Sequence, residues 1–451
     1  MNNSYFKPAL GRMLRQSVLK HIRRKPEGVL EGAAIGYDAA IFQNGDITEI
    51  QAVGAQPTSR FPEDYPLTAG EAAWITAENQ LATKGIFATG VSPDDVSKRQ
   101  NAGRIVAAQV LLVAGMSCPE SRIRREMQRL AQFAAERSCP IVGGNTVHFL
   151  EGTDCLVQVV LTGRLPAGEH VQDGEPSDGE RVQDGEPSDS ERVQDGEAPD
   201  GEHVQDGEAP DGERVQDGEA SDGERVQNRP AGTEEESPGS ANAASGLLRK
   251  PAPGDRVYFL GEVGCLGADL LARSRREELR RHFPESYIET MEYGVEDYSV
   301  QEKAAAALEA GAVFLHDVSN GGVHAALYQL AEAAGCGIHV RHEGLTVRQS
   351  VIELSEALEI NPYLLLGTGG LLAVVPEDTA AEFEGSMTIR KTQPDADPGA
   401  DGRSGGSFPW AYAGQLTKEK ARLVTAENFH MERYLNLPDG DAFEEARSPE
   451  T

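Results

Sequence analysis

The sequence predicts a mixed α/β protein of two ordered blocks, 1–165 and 250–426, with an acidic low-complexity insertion between them and a tail over 427–451. Three observations carry that expectation. Short aliphatic and β-branched runs alternate with helix-period segments in both blocks, the pattern of strands and helices packed in layers. The composition breaks abruptly at 166 and recovers near Pro251. A polar, glycine-rich turn at 317–322 stands between an apolar run and an amphipathic helix.

In chain order, Leu10, Leu14, Val18 and Ile22 recur at helical spacing and predict a first helix with a buried stripe. Seven basic residues precede the first acid, Glu27, so an amphipathic transit segment fits the same pattern. Asn44-Gly45 predicts a hairpin between strands 33–42 and 46–53, with Tyr37 and Asp38 inside the first. Helix 68–84 follows, with Ala72, Ile75 and Ala82 inward. After the apolar strand 103–115, Ser117 and Glu120 have capping-box spacing and open a helix that buries Ile123, Met127, Leu130 and Ala134. A strand from Pro140 runs into the polar glycine pair Gly143-Gly144-Asn145-Thr146, and strand 155–161 closes the block.

Residues 170–224 are five tandem copies of an eleven-residue unit, of the type RVQDGEPSDGE. They carry more than half of the net charge of −31. An eleven-residue period can specify a right-handed coiled coil, but one valine per copy, beside glycine and proline, supplies no core. The insertion over 166–249 is therefore expected to be disordered. Order resumes with strand 257–260, a glycine-spaced loop at 261–267, and helices 268–281 and 299–310. Strand 312–315 ends at His316, and the helix after the polar turn uses Val323, Ala326, Leu327, Leu330, Ala331 and Ala334, with Gly335 at its C-cap. An amphipathic segment at 347–358, a strand at 369–375 closed by Pro376, a polar loop at 393–407 and strands within 412–424 complete the block.

The acidic balance argues against nucleic acid or an anionic membrane as partner. Five cysteines without paired spacing suggest neither zinc nor a disulfide framework, and no apolar run approaches the ~20 residues of a membrane span. A cytoplasmic location is the expectation. The turn at 317–322 suggests more: backbone amides and the positive end of a helix dipole collect anions at such a place. Phosphate or carboxylate is the natural guest, although a plain turn with His316 and Asp317 as hydrogen-bonding groups has the same spacing.

Four segments occur in an order that carries further meaning: Gly36-Tyr-Asp-Ala-Ala40, Ile141-Val-Gly-Gly-Asn-Thr146, Pro253-Gly-Asp-Arg-Val257 and His316-Asp-Val-Ser-Asn-Gly-Gly322. Together they resemble the AIR synthase-like superfamily, which includes thiamine-monophosphate kinase, selenophosphate synthetase and HypE, the hydrogenase-maturation dehydratase. Segments 299–337 and 345–376 look most like the HypE branch. The resemblance implies a two-domain α/β fold whose N-terminal domain forms a β-barrel-like homodimer interface, with ATP bound between the domains and Mg2+ held by N-terminal carboxylates. It also implies phosphoryl transfer to an amide-type or other oxygen of a substrate the sequence does not identify. Carried over residue by residue, Asp38 is the metal ligand, and Asn79, Gly143, Gly144, Asn145 and Thr146 line the phosphate side. His316 and Asp317 are the catalytic candidates, with Ser319, Asn320, Gly321 and Gly322 on nucleotide or substrate. The sequence departs from the family where acids are expected, with Tyr37, Gln56 and Gln80 in their places. A non-catalytic nucleotide-binding or dimeric maturation protein therefore stands as the alternative expectation.

Overall fold

Asn44 and Gly45 close the first hairpin as their dipeptide predicts. Strands β2 (Ala40–Asn44) and β3 (Ile47–Pro57) run antiparallel, and Gly45 takes φ 61°. The structure, a computed structural model, describes residues 13–22, 27–88, 103–165, 249–392, 408–426 and 431–447. The insertion at 166–248 and the loop at 393–407 lie outside the described residues.

The first block holds an open seven-stranded sheet rather than a closed barrel. It adds β1 (Val29–Glu31), β4 (Ile86–Phe87), β5 (Gly103–Gly115), β6 (Ile141–Leu150) and β7 (Cys155–Leu165) in the order β1-β2-β3-β7-β5-β4. Strands β4 and β6 share the far edge of β5, β4 at Gly103–Arg104 and β6 from Ala108 onward. Helix α1 (Ala69–Ala82) starts on a full capping box between Thr68 and Glu71 and lies across β3 and β7. It can sit so close because position 54 is glycine: a Cβ there would meet the Ala73 carbonyl oxygen at 1.8 Å. Helix α2 (Glu120–Glu136) buries Leu130, Phe133 and Ala134 beside α1.

The second block is also a seven-stranded sheet. Its strands are β8 (Arg256–Leu260), β9 (Phe314–Val318), β10 (Gly337–Arg341), β11 (Gly370–Val375), β12 (Trp410–Thr417), β13 (Arg422–Ala426) and β14 (Met431–Tyr434). They run in the order β14-β13-β10-β12-β8-β11-β9. Strands β9 and β11 are buried on both faces, as strands covered by helices must be. Helices α3 (Cys265–Ser274), α4 (Gln301–Glu309), α5 (Gly322–Ala334), α6 (Gln349–Ala357), α7 (Ala380–Thr392) and α8 (Ala442–Arg447) accompany them. Among the described residues, no helix is long and apolar enough to cross a membrane.

Several local expectations are corrected. Tyr37 and Asp38 precede β2 in irregular chain, because the strand begins only at Ala40. Gly143, Gly144, Asn145 and Thr146 lie inside β6, a regular strand, rather than in a loop after it. No side chain caps α2, which starts behind Pro119; Ser117 makes no capping bond. Of the first predicted stripe, Leu14 is half-buried while Val18 and Ile22 are exposed, and the segment forms short π and 3-10 turns. It is held instead by Arg15, which pairs with Glu332 at 3.0 Å.

The two blocks meet along a buried seam with a carboxylate at its centre. Asp269 on α3 has no exposure. Its Oδ2 accepts the hydroxyls of Tyr65 from the first block and Tyr298 from the second, the latter at 2.7 Å. Its Oδ1 accepts the Tyr293 amide at 3.0 Å and Arg273 Nε at 3.1 Å. Burial and the Asp269 charge hold both tyrosine hydroxyls far above their ordinary pKa, so they remain donors at any physiological pH. Replacing Asp269 by Ala strands four donors and is expected to cost about 3–5 kcal/mol in urea unfolding, whereas Tyr65→Phe removes one bond and should cost roughly 1 kcal/mol. Equal effects of the two substitutions would contradict the central placement of Asp269.

Candidate functional site

Strand β9 carries His316 and Asp317 to the seam opposite Asp38. The His316 ring lies 2.7 Å from Asp38 Oδ1 through Nδ1, a close polar contact outside hydrogen-bond geometry. Its Nε2 lies 3.2 Å from Gln329 Oε1 on α5. Asp38 Oδ2 accepts the Asp317 backbone amide at 3.0 Å. Both carboxylate oxygens of Asp38 are thereby engaged across the seam. The Asp317 side chain is the unusual member: it is buried, its Oδ1 has no hydrogen-bond partner, and burial, reinforced by the nearby Asp38 charge, pushes its pKa well above the carboxylate range. Burial beside Asp38 thus favours the protonated form of Asp317, the form that can donate or relay a proton.

The turn that follows has the predicted form. Gly321 and Gly322 take φ 78° and 65°, and a Cβ at Gly322 would meet the Tyr363 carbonyl oxygen at 2.4 Å. Helix α5 starts there with a free N-terminus in need of an anion. The protein itself supplies one. Asp441, just before α8, accepts the Gly321 amide at 2.8 Å through Oδ2, and through Oδ1 the Phe443 and Leu366 amides at 2.9 and 3.1 Å. Ser319 accepts the Gly367 amide on its backbone oxygen, and the Asn320 Oδ1 is buried without a partner. Asp441 was missed in the sequence because it lies in the segment read as a tail; an Asp ahead of Ala-Phe-Glu-Glu is nonetheless a helix-start signal.

On the first block's side, side chains of the protein fill the positions where the resemblance implies metal-binding acids. Gln56 Oε1 accepts Arg60 Nη1 at 2.5 Å, and Arg60, with no side-chain exposure, pairs at 2.5 Å with Glu444 of α8. The Lys84 ammonium, paired with Glu31 at 2.7 Å, lies 5.8 Å from the centre of the Tyr37 ring. The Asn79 side chain is fully buried and joins the blocks, donating to the Tyr298 carbonyl at 2.8 Å and accepting the Val300 amide at 3.0 Å. Magnesium needs several converging oxygen ligands. Among the described residues no group of three or more His, Cys, Asp or Glu could hold a metal ion. With Asp38 engaged on His316 and Asp317, and Arg60 and Lys84 next to the former acid positions, the residues present do not fit the ion.

Apart from Asn79, buried against Tyr298 and Val300, the candidates fall into three places. Asp38, His316 and Asp317 come together. Ser319, Asn320, Gly321 and Gly322 form the turn one step further along the chain. Gly143, Gly144, Asn145 and Thr146 are on β6, whose residues are exposed over most of its length.

Residues 252–390 match the family described as AIR synthase related protein, C-terminal domain. Carbamoyl dehydratase HypE of Rhodobacter capsulatus is 31% identical over 153 residues, 34% of this chain and 42% of that protein. The carbamoyl dehydratase HypE of Bradyrhizobium diazoefficiens is 27% identical over 150 residues, 33% of this chain and 40% of that protein. The chain thus aligns with about two fifths of the length of these relatives. A crystal structure of a HypE–HypF complex shares the fold with a TM-score of 0.54 at 16% identity, covering 95% of this chain and 100% of that one.

The buried Asp441 makes stability depend on pH. Burial raises its pKa from the ordinary 3.8 to about 6, against the pull of its three amide donors and of Arg60. Between those values the folded protein keeps a proton that the unfolded chain has lost. The associated stability is therefore complete below pH 3.8 and disappears as pH rises through about 6. Asp317, raised in the same direction, adds to the slope. Asp441→Asn cannot ionise, so the stability of the wild type relative to this variant is expected to fall by roughly 3 kcal/mol between pH 4 and pH 7. Urea unfolding of both proteins across that range measures it, and a difference independent of pH would refute the assignment.

Proposed function

The chain belongs to the AIR synthase-like superfamily, near HypE, and on that premise we propose that it is an ATP-dependent enzyme acting on an amide- or carbamoyl-type oxygen. The matched relatives are named carbamoyl dehydratases, which supports the substrate class. The observation that carries the reading is Asp317, a buried carboxyl with an unpartnered oxygen, next in the chain to His316 and bonded through its backbone amide to Asp38. Phosphoryl transfer asks a protein chiefly for positioning and charge stabilisation. Activating an oxygen of this type also requires a proton to change hands, and Asp317, whose burial favours its protonated form, is the group placed to supply it. His316, held at both ring nitrogens, acts as the positioner of Asp38.

One observation favours a second reading, a nucleotide-binding protein without turnover. The Gln56–Arg60–Glu444 array and the Lys84–Tyr37 contact put positive charge where carboxylates would gather a metal. Calorimetric titration of ATP, with magnesium and with a chelator, together with an assay of ADP release separates the two. Under the enzyme reading ATP binds, and Asp317→Asn keeps that binding while lowering ADP release about a hundredfold or more. Binding without any release establishes the second reading; absence of ATP binding removes both.

We also propose that the protein pairs with a second copy along β6. This edge strand exposes Val142 at 61% and Phe149 at 76%, apolar surface that water does not favour. The expected result is a dimer in sedimentation equilibrium that Phe149→Arg converts to monomer without loss of thermal stability. A wild-type monomer at micromolar concentration would rule the pairing out.

A further inference from the structure

With Asp441 on the turn at 317–322, that helix start already has its anion. The described residues contain a different place built for one. Three lysine and arginine side chains are buried: Arg60, Lys84 and Lys303. Arg60 pairs with Glu444 and Lys84 with Glu31. Lys303, on the first turn of α4, has no carboxylate within ion-pair distance, and its Nζ donates only to the Ser299 carbonyl, at 3.0 Å. An ammonium has three donors and a full charge, and burial of either without a partner is costly.

The surroundings of Lys303 are loops brought close by glycine. Gly261, at φ 104°, sits where a Cβ would be 2.8 Å from the Gly369 carbonyl oxygen and 3.4 Å from Lys303 Cε. Gly369, at φ 111°, presses against the Asp297 carbonyl in the same way. Next to Gly369 is Thr368, 2% exposed, whose hydroxyl has no partner. Lys303 also feels the charges of Asp297, Glu302 and Glu262 without pairing with any of them. A buried cation with one hydrogen bond, to the Ser299 carbonyl, and an unpartnered hydroxyl on the neighbouring glycine-rich loop leave donors over for a ligand. Burial lowers the Lys303 pKa, and an anion beside the ammonium would favour its charged form.

We infer that Lys303, with Thr368 and the backbone of the Gly261 and Gly367–Gly370 loops, binds a phosphoryl group, of free phosphate or of a nucleotide. For a nucleotide the inference deepens the ATP reading above and rests on it; for phosphate or pyrophosphate it stands alone. The residual exposure of Lys303, 9%, leaves the site short of sealed.

The test uses the full chain and three probes, inorganic phosphate, pyrophosphate and ATP, each titrated calorimetrically into wild type, Lys303→Met and Thr368→Val. Methionine fills the lysine's volume without its charge, so the variant is expected to fold and to unfold at an equal or higher temperature when no anion is present. Wild type should bind pyrophosphate, and Lys303→Met should bind it at least tenfold more weakly; Thr368→Val, the gentler change, should weaken it severalfold. If Lys303→Met fails to fold, the threonine variant decides the matter alone. Pyrophosphate that binds through Lys303 while ATP does not bind leaves this inference standing and sinks the ATP reading. ATP that binds wild type and Lys303→Met equally, with pyrophosphate likewise indifferent, overturns the inference and leaves the ATP reading intact. A wild type that binds none of the three probes overturns both.

Discussion

Both halves of this protein depend on buried charge being satisfied across the seam between them. Asp269 is the clearest case, a carboxylate with no exposure that takes hydroxyls from Tyr65 on one side and Tyr298 on the other. A buried ion pair adds little net stability over an apolar contact, yet removing one partner is severe. The seam is accordingly specified more than it is strengthened: each polar group there accepts only one arrangement of its neighbours. Asn79 illustrates this, since both ends of its amide are used on the chain at Tyr298 and Val300. The same constraint fixes Asp38, whose two oxygens meet the His316 ring and the Asp317 amide.

The tail extends this logic to the turn at the head of α5. Asp441 reaches three amides, and three residues on, Glu444 reaches Arg60 in the first block. Phe443 between them is 1% exposed, with the Arg60 guanidinium 5.6 Å from its ring centre. A short helix thus links an anion-hungry helix start in one block to a cation in the other. Gln56 and Arg60 act as one unit, the amide oxygen of the first on the guanidinium of the second. A carboxylate at 56 would compete with Glu444 for the guanidinium, whereas a glutamine offers a neutral oxygen and leaves the pair intact.

Much of the fold was legible in the sequence because its signals are local. The Asn44-Gly45 hairpin, the helix starting after Thr68, the Gly335 cap and the doubly buried β11 all follow from turn chemistry and apolar period. The errors share a cause too. Gly143 to Thr146 look like a loop by composition, but pairing with β5 holds them as strand: Gly144 at φ 153° packs where a Cβ would be 1.8 Å from the Val110 carbonyl oxygen. Val18 and Ile22 have helical spacing, but no face of the protein covers them. Of the site, the motif residues His316, Asp317 and Gly321 stand out in the sequence, whereas Asp38, expected as a metal ligand, meets the His316 ring and the Asp317 amide instead. Asp441, Gln329 and Lys303 do not stand out, because each is defined by what it meets in the folded chain or by what it fails to meet.

That last distinction bears on where chemistry can happen. A turn that looks like a phosphate site in sequence is one only if its donors are unfilled in the folded chain. Here the Gly321 amide is taken by Asp441, while the oxygen of Asp317 and the hydroxyl of Thr368 are buried and unfilled. Buried polar groups without partners are expensive, so they are kept where something outside the protein satisfies them. Asp317 lies on β9 and Thr368 two residues before β11, and the two strands pair directly, Asp317 opposite Leu371. Asp317 and Thr368 are thus two unsatisfied groups near one strand pair buried on both faces. Satisfied polar groups fix the seam, and these two are the ones whose satisfaction the proposed ligands would supply.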